Sequence, residues 1–216
     1  MLHAADYRRP EPYAGQRVVV VGAGNTAVQV AVELADVAQA TLATRRPVKL
    51  VAQRPLGVDV HYWTRWSGLE AVPSGRRGIS TVRVLDDGRY AAALAAGRPD
   101  WRPMFTRFTP DGVYWADGTV EDVDAVILAT GYRPDMDYLA GASALDGGGW
   151  PVHCRGVSRT VPRLGYVGLP GQTGFASATV RGVGADARRV VHHLTRALRS
   201  DSPAPATCRV PALAGR

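Results

Sequence analysis

The stretch Val18-Val19-Val20-Val21-Gly22-Ala23-Gly24-Asn25-Thr26-Ala27 decides how the 216-residue chain is read. Four β-branched residues in a row predict a short strand buried on both faces. A glycine-rich turn follows at once. Beyond it Val28, Ala31, Val32 and Ala35 share the sequence with Gln29, Glu33 and Asp36, so a helix with one polar stripe is expected to about Val37. Ala40–Thr44 reads as a second strand, which completes a β-α-β unit of about thirty residues. The fold class is therefore α/β, of Rossmann-like type.

The turn carries chemistry as well as topology. In Gly22-x-Gly24-x-x-Ala27, set between strand and helix, Gly22 permits the tight turn and Gly24 lets the backbone approach a pyrophosphate. Ala27 allows close helix–strand packing, and Asn25 and Thr26 open a helix whose free N–H groups face an anion. A glycine turn in an α/β core with no ligand is the competing reading. The end of the second strand bears on which dinucleotide would bind. It reads Thr44-Arg45-Arg46, with no carboxylate between Asp36 and Asp59. A carboxylate there would hold a ribose 2′-OH, whereas a guanidinium pairs with a 2′-phosphate. NADP(H) is favoured over NAD(H), with Arg45 as the pairing residue, although an arginine of this pair could simply point to solvent.

Working outward, residues 1–16 read as an extended lead-in and 1–14 as a linker. Pro47 to Arg77 reads as loop plus short helix, with His61, Tyr62, Trp63 and Trp66 lining a pocket or packing under a loop. Val82–Leu85 is a strand candidate and Arg89–Ala96 a short helix. Met104–Thr109 and Val113–Ala116 alternate like a hairpin around Pro110-Asp111-Gly112, and Asp117-Gly118 makes a further turn. Asp124–Ala129 is another buried strand, ending in Thr130-Gly131-Tyr132. Short strands are expected near Pro151–Cys154 and Leu164–Gly168. A last helix spans Phe175–Leu198, its buried face formed by Ala176, Val180, Val183, Ala187, Val190, Leu194 and Ala197. Residues 200–216, rich in Pro, Ala and Ser, are expected to be a disordered tail.

Composition narrows the function classes. The net charge of +7 is almost all arginine, Lys49 being the single lysine, and the arginines are scattered. A nucleic-acid surface needs a clustered basic face with interleaved aromatics, so no nucleic-acid partner is expected. Cys154 and Cys208, far apart and without a Cys-x-x-Cys, indicate neither zinc nor a dithiol redox centre and are expected to be free thiols. The N-terminus lacks the regions of a signal peptide, and Val18–Leu34 is too interrupted for a membrane span. A cytoplasmic protein with no membrane partner is expected. His192-His193 reads as a solvated helix face, and no metal site is expected. No catalytic residue is recognisable, so redox chemistry would fall to a borrowed cofactor.

These motifs, in this order, resemble the carboxyl-terminal part of a flavin-containing monooxygenase, the class-B flavoprotein type that uses FAD, NADPH and O₂. His3-Ala4-Ala5-Asp6-Tyr7 is similar to the second half of the family motif F-x-G-x-x-x-H-x-x-x-(W/Y/F). Gly22–Ala27 resembles its NADPH glycine motif. Ala129-Thr130-Gly131-Tyr132 resembles the hinge at which the chain passes from the NADPH domain to the FAD domain. Leu164–Leu169 with Gln172 is similar to the closing segment of the FAD domain. The phenylalanine and glycine of the first motif, the FAD glycine motif and the family's active-site asparagine would fall before Met1.

The resemblance implies a Rossmann-like NADPH-binding domain over 15–131, followed by the closing segment of an FAD-binding domain over 132–199. It implies hydride transfer from NADPH to flavin, O₂ activation, and oxygen transfer to a soft nucleophile. Thr130, Gly131 and Tyr132 would sit near the nicotinamide–flavin junction. The turn from Gly168 to Gln172 would lie near the flavin ring at a helix N-terminus, a plain strand–helix connection being the alternative. The implied partners are a small-molecule substrate, O₂ and a complementing FAD-domain half, with self-association expected from an incomplete domain. Two other readings stay open: a non-catalytic NADP(H)-binding module, and a disulfide-type reductase, which the missing Cys-x-x-Cys and Cys-x4-Cys argue against.

Overall fold

The computed structural model describes residues 1–67 and 83–199. The described residues fall into two compact units, 1–60 with 83–132, and 61–67 with 133–199.

The first unit is built on β2, Arg17–Val21, whose four valines are all buried. Helix α1, Asn25–Leu34, follows after the glycine turn and buries Ala27, Val28, Val30, Ala31, Val32 and Leu34, leaving Gln29 and Glu33 in solvent. Strand β3, Gln39–Thr44, then pairs parallel with β2, residue for residue from Arg17↔Gln39 to Val21↔Ala43. On the other side of β2 lies β10, Ala125–Leu128, also parallel. Two further strands complete the sheet: β1, Leu2–His3, beside β10, and β6, Asp100–Pro103, beside β3. The order β1-β10-β2-β3-β6 is parallel throughout, the α/β class expected. One apolar cluster joins α1 to one face of this sheet through Val18, Val20, Leu42 and Ile127. The other face packs Val19, Val21, Ala43 and Val126 against Phe105, Val113 and Trp115.

Smaller elements complete the unit. Strands β4, Leu50–Ala52, and β5, Val84–Asp86, form a parallel pair. Asp86 starts α3, Arg89–Ala95, by accepting from Gly88 N, Tyr90 N and Ala91 N. The hairpin expected around Pro110-Asp111-Gly112 is present but short. Its strands are β7, Arg107–Phe108, and β8, Gly112–Tyr114, and a third strand, β9, Val120–Asp122, follows the Asp117-Gly118 turn.

In the second unit α2, Val60–Trp66, runs across the boundary into residues 61–67, so the short helix expected in this stretch is observed, and residues 68–77 of that expectation lie outside the described ones. β11, His153–Cys154, and β12, Val157–Ser158, form a two-stranded antiparallel sheet. Helix α4, Val180–Leu198, lies against it, with Val190 approaching both Gly156 and Gly165.

Several details differ from expectation. The lead-in contributes a sheet strand at Leu2–His3, because His3 and Ala4 can pair with the apolar end of β10. Strands β4 and β6 were not foreseen. Leu164–Gly168 forms no strand beyond a single bridge, Val157↔Gly165. Helix α4 starts at Val180, five residues later than expected. Ser177 Oγ accepts from Thr173 N and Gly174 N, holding that segment in a loop, and Thr179 caps the helix at Gly182 N. Val180 is consequently 98% exposed and is not part of the buried face. Cys154 is disulfide-bonded, which corrects the expectation of free thiols, and Cys208, the other cysteine of the sequence, lies outside the described residues. The tail from residue 200 also lies outside them. Among the described residues no helix is long and apolar enough to cross a membrane.

Two contacts of this sheet can be tested directly. Gly22 has φ +144°, and a Cβ there would meet Ala129 O at 2.4 Å. Gly22→Ala should cost about 3 kcal/mol of stability, from strain and overpacking together, read by denaturant titration. Asp124, just before β10, accepts from Arg17 N at 2.7 Å and pairs with its guanidinium at 3.4 Å. The backbone donor first, then the side chain, holds its carboxyl below the ordinary 3.8. A carboxyl lowered on folding stabilises fully above its unfolded pKa and loses that contribution as pH falls through the folded value. The part of acid destabilisation below about pH 4 that this pair causes should therefore vanish in Asp124→Asn.

Candidate functional site

The strand order reverses at β2, so the carboxyl ends of β2 and β10 form the edge where a ligand crevice is expected in this class of sheet. From the central β2 the chain goes by α1 to β3 on one side, whereas β10 lies on the other. This is the topological switch point at which open α/β sheets bind ligands. Three strand ends meet there. Gly22 N donates to Ala43 O at 3.0 Å, and Ala129 N donates to Val21 O at 2.8 Å. The Gly22 turn, the Thr44-Arg45 end and the Ala129–Tyr132 segment are thus held side by side.

Each residue of the glycine motif has its own geometry. Gly22 is forced by contact: besides Ala129 O, a Cβ would lie 3.1 Å from the Ala27 Cβ. Ala27 is fully buried in that same contact, so a larger side chain there would push helix from strand. Around Gly24, in contrast, a Cβ would meet nothing within 4 Å, and its backbone φ of −92° is open to any residue. The space beside it is what an approaching ligand backbone needs. The N-cap residue, Gly24, has no side chain to cap α1, so the first-turn N–H groups at Asn25 and Thr26, which have no intrahelical partner, lie at the positive end of the helix dipole. This arrangement fits the pyrophosphate of a dinucleotide.

Asn25 does a further job that the sequence did not reveal. Its Oδ1 accepts from Leu85 N at 3.2 Å and so ties the start of α1 to β5. Arg45 is exposed immediately beyond the buried Thr44. Thr44 Oγ1 itself accepts from the indole Nε1 of Trp101 on β6, at 2.8 Å. Arg102, the next residue, is committed elsewhere. It pairs with Asp117 at 2.7 Å and Glu121 at 3.2 Å, and lies 4.1 Å over the Trp115 ring.

Beyond β10, Thr130, Gly131 and Tyr132 are all exposed. Gly131 has φ +98°, a left-handed turn that favours glycine. His3 braces it. Ala5 N donates to His3 Nδ1 at 3.1 Å, which leaves the ring proton on Nε2, 3.3 Å from Gly131 O. The His3 and Tyr132 rings meet edge to face with centroids 5.3 Å apart. Tyr7 hydrogen-bonds Glu33 on α1, and burial together with that carboxylate pushes its phenol well above the ordinary range.

The remaining expected residues lie in the second unit. Gly168 has φ +86° and Gln172 is buried. Leu169 N donates to Gln172 Oε1 at 3.2 Å, while Nε2 is buried with no hydrogen-bond partner among the described residues. The turn ends eight residues before α4, so it does not sit at that helix N-terminus, because the polar loop 173–179 intervenes. Asp186 on α4 was not singled out from the sequence. It is 1% exposed, takes a hydrogen bond from Thr173 Oγ1, and has Arg189 at 3.8 Å. A lone aspartate at helical spacing gives no signal of such burial. Among the described residues no group of three His, Cys, Asp or Glu could hold a metal ion.

Known proteins bear on this geometry. The model of the flavin-binding monooxygenase-like family matches residues 1–63, which hold the His3 segment, the glycine motif and Arg45. A flavin monooxygenase from Stenotrophomonas maltophilia, in a doubly substituted mutant form, superposes with a TM-score of 0.74. It is 31% identical over 91% of this chain and 55% of its own. The chain belongs to the flavin-containing monooxygenase family. Within that family, an oxidoreductase of Geobacillus kaustophilus described as CzcO-like is 29% identical over 89% of this chain and 56% of its own length. A rat dimethylaniline monooxygenase [N-oxide-forming] is 30% identical, over 62% of this chain and 29% of its own length. The chain thus spans about half the length of the bacterial relatives it matches. The family assignment agrees with the resemblance carried by the motif order.

Because Asn25 bonds to β5 through its side chain, Asn25→Ala should lower stability by about 1 kcal/mol. Hydrogen exchange should show β5 amides, Leu85 first, losing protection while β2 keeps it.

Proposed function

We propose that this chain binds NADP(H) in the switch-point crevice and serves the nucleotide-dependent half of a flavin-dependent monooxygenase reaction. The observation that carries the reading is Arg45, exposed at the carboxyl end of β3 beside an uncapped, glycine-entered helix N-terminus. On this reading Gly22, Gly24, Asn25, Thr26 and Ala27 hold the pyrophosphate through backbone N–H groups and close packing. Arg45 pairs with the 2′-phosphate, and Thr130, Gly131 and Tyr132 border the nicotinamide. The NADPH domain is residues 15–131, and 132–199 is the closing segment of an FAD domain.

In that segment Gly168 and Gln172 would meet the flavin. FAD, when bound, supplies the electron transfer and O₂ chemistry. The chain's own contribution is to orient the nicotinamide and exclude water around it. The substrate is a small molecule with a soft nucleophilic atom, as the N-oxide-forming relative's name suggests for that protein. A complementing FAD-domain half, or self-association, would cover what this segment leaves open. A cytoplasmic setting belongs to the same proposal, and the disulfide at Cys154 is the feature that pulls against it.

The same crevice residues also serve a second reading, an NADP(H)-binding module without turnover of its own. Retention of FAD by the purified chain, alone or with a complementing half, separates the two. For the binding claim itself, calorimetry should give at least about tenfold tighter binding of NADP⁺ than of NAD⁺, the worth of one charge-assisted phosphate contact. Arg45→Ala should remove that preference and leave NAD⁺ binding unchanged. Equal affinities in the unsubstituted chain would refute the role given to Arg45.

A further inference from the structure

Trp101 sits on β6, the neighbour of the strand that ends in Arg45. Its backbone pairs with Leu42, yet its indole Nε1 donates to Thr44 Oγ1, two residues further along β3. The ring therefore leans along the strand toward the carboxyl edge and reaches the residue immediately before Arg45. Thr44 is 3% exposed and fixes the indole edge, while Trp101 remains 44% exposed. A large aromatic side chain is thus held in one orientation by its polar atom, with apolar surface left in water that burial would otherwise stabilise.

Strand order says which part of a dinucleotide would come to this ring. The pyrophosphate position lies at the end of β2, the Gly131 turn lies on the β10 side, and Arg45 lies on the β3 side. A dinucleotide crossing the crevice with its 2′-phosphate at Arg45 directs its adenosine over the ends of β3 and β6. Trp101 is the exposed aromatic of β6.

We infer that Trp101 stacks on the adenine ring of the bound nucleotide, an inference that rests on the dinucleotide reading above. The two residues then have separable roles. Arg45 recognises the 2′-phosphate and discriminates between nucleotides, whereas Trp101 meets a ring common to NADP⁺ and NAD⁺ and lends affinity to both. Neighbouring Arg102 takes no part, being paired with Asp117 and Glu121.

The test is calorimetry of the full chain with NADP⁺ and NAD⁺, for the unsubstituted protein and the Trp101→Ala, Trp101→Leu and Trp101→Tyr variants. Circular dichroism checks the fold of each. Base–aromatic stacking predicts that Trp101→Ala weakens both nucleotides by about tenfold or more, to the same extent. Trp101→Leu, which keeps apolar bulk without a π face, should weaken both as well, and Trp101→Tyr should restore most of the affinity. If Trp101→Ala fails to fold, the Leu and Tyr pair carries the comparison. Unchanged affinity in a folded Ala or Leu variant would overturn the inference. So would a loss confined to NADP⁺, which would make Trp101 a support for Arg45 instead. If the unsubstituted chain binds neither nucleotide, the dinucleotide reading fails first and this inference with it.

Discussion

The turn at Gly22 passes so close to the Ala129 carbonyl that no side chain fits between them. Everything in the first unit depends on this contact. It lets β2 and β10 stay hydrogen-bonded to their last residues, Val21 O accepting from Ala129 N, while the chain leaves β2 abruptly into α1. A bulkier residue would have to move a sheet strand, not a flexible side chain. Because the strand ends stay together, the glycine motif, Arg45 and the Thr130–Tyr132 segment lie side by side at one edge of the sheet. The N-terminus of α1, whose first N–H groups lack intrahelical partners, lies at that same edge. Two glycines divide the work at this turn: Gly22 fits against the sheet, and Gly24 two residues on leaves open space beside the backbone.

The parts legible in the sequence were those where a local pattern and the tertiary structure agree. Val18–Val21 and Ala125–Leu128 are apolar runs buried on both faces, and α1 shows a clean polar stripe. Strand β6 was illegible because Asp100-Trp101-Arg102-Pro103 has no apolar pattern. It lies at the sheet edge and is held by its ladder to β3 and by the Arg102 ion pairs, and neither appears as a period. The start of α4 was misjudged because Phe175, Ala176 and Val180 continue its helical spacing. The hydroxyls of Thr173, Ser177 and Thr179 take part in local hydrogen bonds instead and hold the segment as a loop.

The candidate site was legible in its backbone and much less so in its side chains. Glycine spacing announces the tight turn at Gly22 and the exposed Arg45 follows from its place just past a buried strand end, since both depend on residue type at a fixed offset. What Asn25, His3 and Trp101 do depends on which distant residue each meets: Leu85, Gly131 and Thr44. No spacing rule carries those pairings. The buried Asp186 and the unpartnered Gln172 amide belong to the same class. The free-thiol expectation for Cys154 rested on compartment and spacing alone, and the observed bond overrides it.

The most direct measurement of the central claim is amide hydrogen exchange of the full chain with and without saturating NADP⁺. Binding in the switch-point crevice should slow exchange at Gly24–Val28, Thr44–Arg46 and Thr130–Tyr132 together, with little change at the opposite strand ends around Arg17 and Asp124. Protection confined to other segments, or none at saturation, would contradict it.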